Sequence, residues 1–91
     1  MNAKYAFVDN NSGFLFFVQS AATPEAALEA GLRSIGEYPK AARRDGQASY
    51  YDCYDVSGLE GAEAFDGQDA AAIAAVRACP FVSEYVGERA Q

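Results

Sequence analysis

The chain has 91 residues, half of them hydrophobic, with six Phe, six Tyr and a formal charge of −6. That suffices for one packed core but not two, and it is too apolar for a disordered chain. The acidity works against binding nucleic-acid backbones or an anionic membrane, and no apolar run reaches the roughly eighteen residues of a membrane span.

Met1-Asn2-Ala3-Lys4 leads directly into strand-like sequence without the architecture of a signal peptide, so a cytoplasmic setting is expected. Residues 4–9 and 14–19 are rich in aromatic and β-branched side chains. Between them Asn10-Asn11-Ser12-Gly13 supplies turn residues, which predicts a hairpin with a four-residue loop. Strict strand alternation puts Phe14, Phe16 and Val18 on one side and Leu15 and Phe17 on the other. It likewise opposes Tyr5 and Phe7 to Ala6 and Val8.

A helix is predicted next, with Thr23 as N-cap, Pro24 at the first helical position and Glu25 facing the positive end of the dipole. Leu28, Leu32 and Ile35 recur at helical spacing, Gly36 suits the end, and Tyr38-Pro39 prevents continuation. Residues 39–47 form a polar, partly basic connection containing Lys40, Arg43 and Arg44, with Asp45-Gly46 as a turn. Residues 48–56 read as a third strand. Residues 57–65 read as an acidic loop with a short extra strand at Ala62 to Phe65.

A second helix is expected from about Gly67 to Cys79, with Asp66 as N-cap, Asp69 in the first turn and Arg77 near the C-terminal end. Ala72, Ile73, Val76 and Cys79 form its buried stripe, and Pro80 stops it. Phe81 to Val86 reads as a final strand, although the spacing of Phe81 and Tyr85 also suits a helical turn.

The order β-β-α-β-α-β predicts a single α+β domain over residues 1–91: a small, mostly antiparallel sheet with two helices on one face. That arrangement leaves a second sheet face which is apolar where a wetted face would carry polar residues. Two covers suit it. One is a protein contact, such as a homodimer through Leu15 and Phe17; the other is the acidic loop or the C-terminal tail folded across it.

Histidine is absent, which removes the commonest general base and the commonest transition-metal ligand. Cys53 and Cys79 are too few for a zinc site and, without a secretion signal, are expected as free thiols. Asp52 and Asp55 beside Cys53 should raise its pKa and keep it a poor nucleophile. On a regular strand those two carboxylates face opposite sides, so they form no acid/base dyad. Neither phosphate-binding glycine motifs nor an EF-hand occur. The expectation is a protein that is not an enzyme and takes no cofactor and no metal.

The strongest compositional signal lies in residues 45–76, with seven carboxylates and no Lys or Arg. Asp45, Asp66 and Asp69 have turn or capping tasks. Asp52, Asp55, Glu60 and Glu63 do not, and Tyr50, Tyr51 and Tyr54 lie among them. Tyrosines interleaved with carboxylates suit a basic protein surface, while a solvated face that keeps the chain soluble, with tyrosines turned into the core, is the ordinary alternative.

The size and acidity, the lack of catalytic motifs, and an opening hairpin followed by the helix Thr23-Pro24-Glu25-Ala26-Ala27-Leu28 resemble the small proteins of phages and mobile elements, among them the anti-CRISPR proteins. The likeness covers about residues 1–36. Those families share no common fold, so no functional residue carries over by position. The resemblance implies a stoichiometric inhibitor that binds a CRISPR effector complex, one route being to occupy Lys/Arg surfaces meant for target DNA and so block nucleic-acid binding. The acidity implies no direct contact with nucleic acid or membrane.

Overall fold

The computed structural model describes residues 2–10, 12–34 and 50–86. The expected end of the first helix at Ile35 and Gly36, the basic connection with Lys40, Arg43 and Arg44, and the turn at Asp45 lie outside these residues. Strands β1 (Ala3–Asp9) and β2 (Leu15–Ala21) form the hairpin and helix α1 (Pro24–Ser34) follows. Next come β3 (Tyr50–Asp55), a 3-10 turn (Ala62–Ala64), α2 (Ala70–Arg77) and β4 (Phe81–Val86). The four strands make one antiparallel sheet in the order β2-β1-β3-β4, an α+β domain. Phe81 to Val86 is therefore strand, whereas Ala62 to Ala64 is a 3-10 turn and not the expected extra strand.

Local chemistry accounts for the element ends. Thr23 caps α1, its Oγ1 accepting from the Ala26 amide at 3.1 Å. The hairpin loop closes on Asp9, whose amide donates to the Phe14 carbonyl at 2.9 Å, and Gly13 takes the left-handed conformation with φ of 80°. The N-cap of α2 is Asp69, which accepts from Ala71, and not Asp66. Asp66 instead stabilises the preceding turn by accepting from the Gln68 amide at 3.0 Å.

The helices lie on opposite faces of the sheet, not on one. Tyr5, Phe7, Phe17, Tyr51, Cys53 and Tyr85 pack with Ala27, Leu28 and Leu32 of α1. Ala6, Val8, Leu15, Tyr54 and Val56 pack with Ala62 of the 3-10 turn and Val76 of α2, with Leu59, Phe65, Ile73 and Cys79 at the margin. The reason is the run Tyr5-Ala6-Phe7-Val8, buried throughout on a central strand. Two helices on one face would leave Ala6, Val8 and Val56 in water; one cover per face removes both sets. Part of the acidic loop, through Leu59, Ala62 and Phe65, does fold across the second face, together with α2.

The register carries a further correction. Phe7 pairs with Phe17 and Val8 with Leu15, so Phe16 is an extra residue in β2. This bulge turns Leu15 and Phe17 to opposite faces, Leu15 into the α2-side core and Phe17 into the α1-side core. They form no common dimer face. A second irregularity in β4 pairs Cys53 with Ser83 but Tyr54 with Phe81, which leaves Val82 over. Both edge strands are thus irregular, a feature that discourages edge-to-edge pairing.

Candidate protein-binding surface

The expected binding residues do not converge. Tyr51 and Tyr54 are buried in the two cores, on opposite faces, so neither ring is available to a partner; of the three, only Tyr50 is exposed. The interleaving with carboxylates hid this, because strand periodicity does not reveal that both faces are covered. Asp52 and Asp55 do face opposite sides. Asp55 lies opposite Tyr5, and its Oδ1 accepts from the Ser57 amide at 3.0 Å. The hydrogen bonds from Ser57 hold the Asp55 carboxyl below the usual carboxylate range.

Glu63 pairs with Lys4 across 3.1 Å. Its carboxyl is likewise lowered, first by a hydrogen bond to its own backbone amide and then by Lys4. Asp52 meets Arg77 at 3.4 Å. Three of the four carboxylates that lacked a task in the sequence therefore have one, and Glu60 alone projects from the loop with no such contact among the described residues.

Two groupings were not legible in the sequence. The first is polar. Asp52 lies directly opposite Glu84 in the β3–β4 ladder, and the Asn10 side chain donates from Nδ2 to Glu84 at 2.7 Å and reaches Asp52 at 3.5 Å. Arg77 donates to the Tyr54 hydroxyl at 2.7 Å, with its guanidinium carbon 5.8 Å from the ring centroid. The second is apolar. Phe14 and Phe16 stand exposed beside an open groove of about 390 Å³ formed with Leu15, Asp66, Gly67 and Gln68. The Gly67 carbonyl accepts from the Leu15 amide at 2.9 Å, and a Cβ on Gly67 would run into the Leu15 carbonyl oxygen. Only glycine lets the turn approach the edge of β2 this closely.

Comparison with protein families, characterised proteins and solved structures finds no match to this chain. Cys53 is fully buried, and its thiol is pushed up to about 12 by burial first and then by Asp55 and Glu25. Asp52, on the other side of the sheet, is not among the causes. Cys79 is half-buried on the α2 side, its Sγ 3.5 Å from the Ala75 carbonyl, so the two thiols are free and separated by the sheet. Titration with a chromogenic disulfide reagent at about pH 8 should find one thiol, Cys79, in the native protein and two after denaturation. Two fast-reacting thiols would contradict the burial of Cys53.

Among the described residues no cluster of three or more His, Cys, Asp or Glu could hold a metal ion, and no helix is long and apolar enough to cross a membrane. What this surface offers is charge. The described residues hold ten carboxylates and three cations, a net −7. All three cations are engaged within the chain: Lys4 with Glu63, Arg33 with Glu29 and Arg77 with Asp52.

Proposed function

We propose that this chain is a non-catalytic binding protein whose acidic surface engages a basic protein surface. In its most specific form it is a stoichiometric inhibitor of the anti-CRISPR type, occupying lysines and arginines that an effector complex uses for nucleic acid. The observation that carries this reading is the charge arrangement: a formal net charge of −6 over the chain, with every cation among the described residues already paired to a carboxylate of the same chain. Such a surface steers towards cationic partners and repels phosphate backbones. Its small size and the buried, poorly ionised Cys53 thiol are also in keeping with binding and not turnover.

The test is capture of partners by the immobilised chain, followed by titration against the RNA-guided effector complexes so identified. One equivalent should abolish target-DNA binding by the effector. Raising salt from about 0.1 to about 0.5 M should weaken the complex steeply. Glu60→Lys, at an exposed carboxylate with no contact among the described residues, should weaken it roughly threefold or more without changing the melting temperature. A complex indifferent both to salt and to Glu60→Lys removes the acidic-surface reading.

A further inference from the structure

We propose that the groove between the start of β2 and the turn at Asp66–Gln68 is a docking slot for a cationic segment of a partner protein that carries one large apolar anchor. This rests on the acidic-surface reading above and locates where the contact is made.

The slot follows from two features of the chain. The bulge at Phe16 sends Leu15 inward and leaves the flanking rings of Phe14 and Phe16 at 40% and 37% exposure. The Leu15–Gly67 hydrogen bond then draws the acidic turn against the same edge, closing one wall of a groove of about 390 Å³. Two exposed phenyl rings, that of Phe16 lying 5.7 Å from the Tyr51 ring, and one polar wall suit an inserted side chain. The groove is too open to enclose a small molecule, which needs most of its surface buried. Tryptophan, or a long aliphatic side chain, is the anchor that gains most from stacking on exposed phenylalanines.

Charge selects the rest of the occupant. Asp66 lines the slot and Asp69 follows on the same turn, its amide donating to the Asp66 carbonyl at 3.1 Å. Among the described residues that line the groove there is no cation. An apolar anchor flanked by lysine and arginine therefore satisfies both walls, whereas an acidic segment is repelled. A second copy of this chain is repelled only through its overall charge of −6.

The experiment uses the full chain and a labelled lysine- and arginine-rich peptide with one central tryptophan, alongside the same peptide with serine at its centre. The tryptophan peptide should bind about fivefold or more tightly than the serine peptide, an anchor gain near one decade at most for a half-open slot. Phe14→Ser should erase that difference, Asp66→Asn should weaken both peptides, and Phe81→Ser, at an exposed ring on the other edge strand, should change neither. Asn keeps an acceptor for the Gln68 amide, so the turn survives that substitution.

Equal affinity for the two peptides overturns the slot while leaving the acidic-surface reading in place. Failure of both peptides to bind overturns both. Concentration-dependent dimerisation abolished by Phe14→Ser would assign the groove to a second copy and overturn the cationic occupant.

Discussion

Phe7→Ala is expected to lower the free energy of unfolding by about 3–5 kcal/mol, a large share of the roughly 5–15 kcal/mol that stabilises a domain. Phe7 has no exposed surface and lies on a central strand, paired with Phe17 on one side and Cys53 on the other. Its ring centroid is 5.0 Å from that of Phe17 and 6.2 Å from that of Tyr85, so its removal opens a cavity shared by three strands. Urea denaturation should report a fall in the midpoint with an unchanged slope. The companion substitution Val76→Ala addresses the other face. Val76 is fully buried against Ala6, Val8 and Val56, and its truncation should cost about 1–2 kcal/mol. If α2 did not cover that face, Val76→Ala would cost almost nothing, and the arrangement of one helix per face would be wrong.

The two-faced core explains which parts of the fold were legible. Elements and their order follow from local patterns: the turn Asn10 to Gly13, the capping Thr23, and the stripe of Ala72, Ile73, Val76 and Cys79. The side on which each helix packs does not, because a helix stripe says only that a face exists to be covered. The informative signal was in β1, where Tyr5-Ala6-Phe7-Val8 is apolar at every position. A strand of that kind requires cover on both faces, so the hairpin's apolar surplus is satisfied within the chain except at the exposed rings of Phe14 and Phe16.

The bulge at Phe16 was invisible for a different reason. Alternation assumes an unbroken ladder, and one inserted residue reverses the faces beyond it. Leu15 and Phe17, same-sided by counting, separate into two cores, while Phe14 and Phe16 become the exposed rings. The candidate surface shifted accordingly. Of the residues singled out for a partner, Tyr51 and Tyr54 are internal, Asp52, Asp55 and Glu63 have contacts within the chain, and Glu60 and Tyr50 remain outward. Acidity as a property was readable from composition; its placement depended on pairings between residues as distant as Lys4 and Glu63.

Arg77→Ala is the second substitution with a large expected effect, about 1–2 kcal/mol of destabilisation, because it acts on a strained charge arrangement. Asp52 and Glu84 are like charges directly opposite in adjacent strands, a pairing that destabilises a sheet unless something neutral or cationic lies between. The Asn10 side-chain Nδ2 bridges them and the Arg77 guanidinium approaches Asp52 at 3.4 Å. The same Arg77 nitrogen donates to the Tyr54 hydroxyl at 2.7 Å, on a ring otherwise buried. The ion pair alone is worth little, since Arg77 is partly exposed and solvent screens it; most of the cost comes from the lost donor to Tyr54 and the uncompensated carboxylates. Two signatures separate this from simple loss of packing. Added salt should restore part of the stability of Arg77→Ala by screening Asp52 from Glu84. Asp52→Asn should also cost less in the Arg77→Ala background than in the wild type, by about 0.5–1 kcal/mol. If the two substitutions add without coupling and salt has no effect, Arg77 serves only as a lid on the Tyr54 ring. The acidic pair in the ladder would then be tolerated by solvation alone.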